Sequence, residues 1–458
     1  MKQPEQIDLT SGHLSQHFRT LAIPAAIGMV FNTLYNMVDM YFAGRLATAS
    51  QAGISIGFGL FFIYIAFGFG LSSAISALVG SALGAKNQRA ARKLIAQALI
   101  FGMLLCMILM GIGLLLNPIL VEIVSEPGPY RDAANRYTFV LLLAIPGFIV
   151  AYACNGALQA QGDSISLTRA LIVAFFANIV LNPLLIYGIP GVWDGIGFDG
   201  LAVSTVLSQS GVMVFMVSRL LKSDAANGLS RAHLAVRFSI LRTLAVQMLP
   251  SSFSLQVMIL AGIAVQYALK SFGEHAIAAY GVGMRIEQLV LLPILGVASS
   301  LLSIAAQNFG AHDFDRVRAA VAFSIKISLI FMAAACPILW LGAEFAFSLF
   351  SQDPEVIRVG VGYLHFDAVL LPIYGLLFII NALLQALQRP IWVLWISIYR
   401  QGFGVAFFIW VYLTLFGWDI WHVWYGVGTS VVSGLILSVL IAMYVAKREI
   451  NGLLSTTK

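Results

Sequence analysis

A chain of 458 residues that is 60% hydrophobic and only 10% charged lies far from soluble globular domains, where about 25% of residues are charged, and reads as a polytopic membrane protein. Its net charge of +6 does not call for a nucleic-acid partner, because the basic residues sort by membrane side and not into a binding patch. Cys106, Cys154 and Cys336 all fall in apolar runs and read as small core residues, not as a disulfide framework or a metal site.

Twelve apolar runs are predicted as helices, near residues 18–44, 53–83, 94–121, 133–160, 165–187, 197–221, 241–269, 276–307, 319–350, 358–387, 391–416 and 422–446. Each exceeds the roughly 20 residues that cross about 30 Å of hydrocarbon. The first lacks a charged leader and a small-residue cleavage site, so it is read as a retained helix.

That first run, LAIPAAIGMVFNTLYNMVDMYFAG, holds Asp39 with no basic residue on the same segment. Asn32, Asn36 and Asp39 recur at spacings of four and three and share a helical face, with Tyr35 on its edge. A carboxylate in lipid is costly and faces a bundle interior or a polar cavity. Pro24 removes a backbone donor early in the helix, which marks this segment as one that bends and as a conformational switch.

Helix four begins near Tyr137, helix five carries Asn178 and Asn182 at i, i+4, and helix six begins near Asp199. Helix one ends near residue 44, which puts Asp39 about 7 Å from its outer end. Counted the same way, Asn182 lies at the same depth, Asn178 one turn deeper, and Asp199 and Tyr137 at the outer level. Four helices thus direct polar groups toward one cavity in the first half. A carboxylate kept from water gives up its proton less readily, and neutral Asn and Tyr groups can bond either form. Asp39, Asp199, Asn178, Asn182 and Tyr137 are therefore read as a proton-coupling set. The blander alternatives are a fixed structural carboxylate at Asp39, interhelical glue at Asn178 and Asn182, and a wet helix edge at Asp199.

The connection over residues 222–240 is the longest and is expected to run along the cytoplasmic surface, partly as an amphipathic helix. It separates a six-helix lobe over 1–221 from another over 241–458. In the second lobe Arg285 and Glu287 lie two apart and do not face each other; each is expected to pair elsewhere. Asp367 is either a second ionisable site or a fixed partner of Arg285. His312 and His365 have no ligand spacing, and no metal site is expected. With the N-terminus inside, 20 of the 26 basic residues fall on the inner side and 5 on the outer, Arg285 being set aside within its helix. That bias places both termini in the cytoplasm.

A shift of 226 residues brings the halves into register. Pro24 meets Pro250, SALGAKNQRAAR (81–92) meets QNFGAHDFDRVR (307–318), and Pro146 meets Pro372. Asn155 meets Asn381, Gly200 meets Gly426, and Ser204 meets Ser430. One offset across distant segments indicates an internal duplication. Each half has an even number of helices, so the repeats are parallel, as in transporters that rock one half against the other. Asp39 meets Val265 and Asn178 meets Gly404, so the polar cluster belongs to the first half alone. The chain has no phosphate-binding loop and no soluble segment long enough for an ATPase domain; an ion gradient is the expected energy source, and no cofactor is expected.

The segments IPAAIGMVFNTLYNMVDMYFAGRLA, SALVGSALGAKNQRAAR, PGFIVAYACNGALQAQGD, the Asn178/Asn182 helix and IAAYGVGMRIEQLVLLPILGVASSLLSIAAQNFGA together resemble the multidrug and toxic compound extrusion (MATE) family over essentially the whole chain. The resemblance implies an all-α fold of twelve transmembrane helices in two pseudo-symmetric six-helix bundles. It implies a secondary antiporter, not an enzyme, in the bacterial cytoplasmic (inner) membrane. Its expected cargo is lipophilic, often cationic or zwitterionic drugs, exported by a functional monomer against inward H⁺ or Na⁺. The branch most similar is the DNA-damage-inducible-protein-F-like one. Its helix-one aspartate corresponds to Asp39, its helix-five polar pair to Asn178 and Asn182, and its helix-four tyrosine to Tyr137; drug-pocket positions fall on Asn32, Tyr35, Asn36 and Asn155. The second helix-five position is often acidic in relatives, so Asn182 departs from the pattern. A second branch carries cation-binding acids in its C-terminal lobe, at positions that fall here around Leu255, Gln256 and Ile373. The resemblance thus favours H⁺ over Na⁺. Sodium coupling in the same fold and a lipid-precursor flippase are the alternatives.

Overall fold

The computed structural model describes residues 7–46 and 48–453. Among them, twelve helices are long and apolar enough to cross a membrane. In chain order they are α1 Leu14–Leu46, α2 Ser50–Gly84, α3 Gln88–Val124, α4 Pro129–Gln159, α5 Ile165–Tyr187, α6 Asp199–Leu221, α7 Phe238–Phe272, α8 Glu274–Gly310, α9 Phe314–Ser348, α10 Pro354–Ala386, α11 Pro390–Phe416 and α12 Ile420–Glu449. No strand is present among the described residues.

The duplication is visible in backbone geometry. Lys86 and His312, 226 apart, both take left-handed φ angles, 55° and 60°. Each is followed by a side chain that caps the next helix: Asn87 accepts from the Ala90 amide and Asp313 from the Arg316 amide, both at 3.0 Å. The matching motifs around 81–92 and 307–318 therefore encode one corner twice, a helix stopped by a left-handed residue and restarted by a cap. Gly200 and Gly426 also do the same work. A Cβ at Gly200 would stand 2.7 Å from the Leu185 backbone, and one at Gly426 would stand 2.7 Å from that of Ile409. Both glycines let a helix pair approach closely.

The described chain forms two compact units, and their limits differ from the chain-order lobes of 1–221 and 241–458. One unit contains Ile27–Ser252 with residues 7 and 8; the other contains Leu9–Ala26 and the chain from Phe253 onward. α1 and α7 each pass from one unit to the other two residues after a proline, Pro24 or Pro250. The exchange is seated on two glycines that are themselves 226 apart. A Cβ at Gly296 in α8 would lie 2.6 Å from the Ala22 carbonyl oxygen, and one at Gly70 in α2 would lie 2.9 Å from that of Met248. Leu9, fully buried, strengthens the seating in the second unit. Its amide donates to Gln307 Oε1 at 3.1 Å, and its carbonyl accepts from Asn308 Nδ2 at 3.1 Å.

The 222–240 connection contains no amphipathic α-helix. It makes two short 3₁₀ turns, Asp224–Ala226 and Arg231–Leu234. Buried Gln97 of α3 takes over the hydrogen bonding that a helix would have satisfied internally. Its Nε2 donates to the His233 and Ala235 carbonyls at 2.9 Å, and its Oε1 accepts from the Arg237 amide at 2.8 Å. The segment is thereby tied to the first unit.

Candidate functional site

In the first unit α1, α5 and α6 bring a polar knot around Asp39, which is 4% exposed. Asp39 Oδ1 accepts from Asn182 Nδ2 at 2.8 Å and from Asn178 Nδ2 at 3.0 Å. Oδ2 accepts from Thr205 Oγ1 at 3.3 Å. Asn182 Nδ2 also donates to Asn178 Oδ1 at 3.1 Å, and Asn178 Nδ2 to Ser204 Oγ at 3.3 Å. One turn along α1, the Tyr35 hydroxyl is 2.6 Å from Ser208 Oγ. Both asparagines and Ser204 are fully buried. Helical spacing explains the convergence: 178 and 182 are one turn apart, and 204, 205 and 208 occupy one face of α6.

Three neutral donors meet the carboxylate, and no basic side chain bonds to it among the described residues. Asn182 Oδ1 is buried without a hydrogen-bond partner among them. The knot thus aims donors at both carboxylate oxygens and leaves one amide acceptor open.

The other expected residues are placed differently. Asp199 begins α6, and its Oδ2 accepts from Arg136 Nη2 of α4 at 2.6 Å; it is an ion-paired helix start, not a ligand of the Asp39 knot. Tyr137 is buried in the same unit and lies within electrostatic range of Asp39 and Tyr35. Its ring packs against the Gly57 position of α2 and stands 6.2 Å from that of Phe198. Asn36 Nδ2 donates to the Asn32 carbonyl on its own helix at 3.0 Å. Asn32 lines a hollow of about 10 Å³ with Tyr152, Gln209 and Val212 among others. Asn155 Nδ2 donates to Ser72 Oγ at 3.1 Å, between α4 and α2, and not to a member of the Asp39 knot. Ser204, Thr205 and Ser208 went unrecognised in the sequence; the run STVLSQS in an apolar helix was the available signal.

The second unit holds its own charge cluster, in which Asp367 is buried and Glu287 and Arg400 are half-buried. Glu287 Oε2 of α8 accepts from the Tyr363 hydroxyl of α10 at 2.9 Å. Arg400 of α11 and Asp367 of α10 both lie within electrostatic range of Glu287. Asp367 is 2% exposed and lies near the Tyr374 side chain; its Oδ2 and Arg400 Nε have no hydrogen-bond partner among the described residues. Arg400 sits on a π-helical turn, Ile398–Gly404, that interrupts α11, and Ser430 Oγ donates to its carbonyl at 2.5 Å. Such turns recur at functional sites. Arg285 is exposed, so Asp367 is not its buried partner; Arg400 is the basic group in this cluster. Among the described residues, no three His, Cys, Asp or Glu side chains gather as metal ligands.

Comparison with known proteins adds three findings. The MatE family model matches residues 24–184 and again residues 250–410, two matches displaced by 226 at both ends. A probable multidrug resistance protein of Bacillus subtilis, YoeA, is 27% identical over 91% of this chain and 90% of its own length; a FAD transporter of Shewanella oneidensis is 26% identical over 86% of each. In structure, the chain resembles a MOP superfamily transporter from Pyrococcus furiosus, with a TM-score of 0.90 and 24% identity over 98% of this chain and 99% of that one. It also resembles an outward-facing MATE family transporter, with a TM-score of 0.88 and 23% identity over 98% and 100%.

Proposed function

Because the chain belongs to the MatE family of multidrug and toxic compound extrusion transporters, we propose that it is a proton-coupled antiporter that exports lipophilic cations and zwitterions by alternating access. The observation that carries this reading is Asp39, a buried carboxylate bonded by Asn178, Asn182 and Thr205 and by no cation among the described residues. Protonation removes its charge and turns one oxygen into a donor. A hydrogen on Oδ1 conflicts with the two amide donors aimed at that oxygen, and one on Oδ2 with the Thr205 hydroxyl, while Asn182 Oδ1 offers the open acceptor. The two protonation states therefore favour different packings of α1 against α5 and α6. Asn32, Tyr35 and Asn36 ride on the same helix, so a shift of α1 changes the surface offered to cargo. The hollow beside Asn32, about 10 Å³, has room for about one water; cargo entry requires it to widen.

Pro24 supplies the hinge in this scheme, and Tyr137 the buried wall near the carboxylate. Asp199, paired with Arg136, serves as a fixed anchor of α6 or as a later proton acceptor. The positive-inside count supports cytoplasmic termini and residence in a bacterial inner membrane. One proton moving with the field is worth about 2.3 kcal/mol per 100 mV, enough to drive accumulation without ATP.

The test is efflux of a fluorescent lipophilic cation from proteoliposomes under separate H⁺ and Na⁺ gradients. Export driven by the H⁺ gradient in Na⁺-free medium is expected. Export that requires Na⁺ would transfer the role to sodium. FAD loaded into the same vesicles tests the cargo named for the Shewanella relative.

A further inference from the structure

At the polar end of α11 and α12, the second unit carries an open basic corner that the transport scheme does not use. A groove of about 180 Å³ is lined by Arg389, Ile391, Trp392, Tyr444, Arg448 and Glu449. Arg389 immediately precedes the span Pro390–Phe416, and Arg448 and Glu449 end the span Ile420–Glu449. The groove therefore lies where two helices leave the apolar layer.

Arg389 donates to Glu449 Oε1 through Nη2 at 2.8 Å and Nε at 3.0 Å. Arg448 Nη1 donates to the Tyr444 hydroxyl at 3.0 Å, and its guanidinium stands 5.7 Å from that ring's centre. Arg448 has no carboxylate partner among the described residues, and exposed Lys447 adds a charge beside it. Trp392 and Tyr444 meet edge to face at 6.1 Å. Below them Ile436, Leu440 and Met443 are exposed along one stripe of α12, spaced by four and three.

The duplication provides an internal control. Moved back by 226 residues, Arg389 falls on Asp163, Trp392 on Ser166 and Val445 on Arg219. There the corner is plugged: Arg219 Nη2 lies 3.6 Å from Asp163 Oδ2, and its Nε donates to Ser166 Oγ at 3.2 Å. In the second half the acid has become an arginine, the plugging arginine a valine, and the serine a tryptophan. The first corner is thus filled by its own ion pair; its repeat pairs Arg389 with Glu449 but leaves Arg448 without a carboxylate partner among the described residues, beside interfacial aromatics and open space.

We propose that the α11–α12 groove binds the phosphate of an anionic phospholipid. Arg448 and Arg389 donate to the phosphate oxygens, for which a planar guanidinium fork is suited. Trp392 and Tyr444 sit at headgroup level, where such rings concentrate. An acyl chain follows the Ile436–Leu440–Met443 stripe. A free phosphate would use the guanidinium groups but not the stripe, which is why the site commits to a lipid.

The test is native mass spectrometry of the purified protein in detergent with equal amounts of phosphatidylglycerol and phosphatidylcholine. Selective retention of phosphatidylglycerol is expected, reduced roughly fivefold by either Arg389→Gln or Arg448→Gln, the effect of one basic residue at an anionic surface. Arg219→Gln in the plugged corner should leave retention unchanged. Equal retention of both lipids would overturn the proposal, as would unchanged retention in Arg448→Gln, an exposed position at which folding is not at stake. Displacement of the lipid by equimolar glycerol 3-phosphate would assign the site to free phosphate instead and also overturn it.

Discussion

Asp39 accepts three hydrogen bonds from neutral side chains, and each of these donors does a separable job. Thr205 alone bonds Oδ2, at 3.3 Å. Thr205→Val keeps the shape and removes that donor; hydrogen bonds to charged groups are worth ~1.5 kcal/mol or more, so initial rates of H⁺-driven efflux should fall roughly tenfold. An unchanged rate would make this contact incidental. Asn178 bonds Asp39, Ser204 and Asn182 at once, so Asn178→Leu should abolish coupled efflux in the same assay. The Glu287–Asp367–Arg400 cluster provides the contrast. Glu287→Gln should keep H⁺-driven efflux within roughly threefold of wild type, and a complete loss would move coupling into the second unit. The meeting of Asp39 with Asn178 and Asn182 was readable from sequence because helical phase and depth both point there. Thr205, Ser204 and Ser208 were not, because a lone hydroxyl in an apolar helix bonds its own preceding turn as readily as a partner. Depth alone also grouped Asp199 with Asp39; it could not show that Arg136, on a different helix, neutralises that carboxylate.

At the scale of elements, close approach of α2 and α4 shapes the wall behind the knot. A Cβ at Gly57 would stand 2.8 Å from the Tyr137 ring and 2.9 Å from Thr138 Oγ1, and one at Gly53 would stand 2.6 Å from the Ala133 Cβ. This is the small-residue packing that lets membrane helices touch at the backbone. Gly57→Leu should therefore destabilise the protein by about 1–3 kcal/mol, the usual cost of overpacking, and should lower the thermal unfolding temperature in detergent. An unaltered temperature would mean that Tyr137 has room to move. The number and order of the helices were legible, because each spans the membrane with its own apolar run. The 3₁₀ form of the 222–240 connection was not, since it depends on Gln97, more than a hundred residues away. The π-helical turn at Arg400 was equally hidden, because the repeat aligns it with an uninterrupted stretch of α5.

The whole molecule is a doubled chain whose halves exchange their first helical segments. The duplication was readable from matched prolines, glycines and caps. The exchange was not: chain order assigns α1 to the first half, whereas Gly296 seats its beginning in the second unit and Gly70 seats α7 reciprocally. Pro24 and Pro250 stand two residues before each crossing. Both Pro24→Ala and Pro250→Ala restore a backbone donor near the crossing and should slow transport at saturating substrate while leaving binding affinity intact. Unchanged turnover in both variants would remove the prolines from the conformational cycle.

The coupling role of Asp39 is tested most directly by reconstituting wild type and Asp39→Asn in parallel and imposing an H⁺ gradient. Wild type should extrude the fluorescent cation in step with proton entry. Asp39→Asn should insert and bind the cation yet neither extrude it nor take up protons. H⁺-driven efflux that survives in Asp39→Asn would contradict the account.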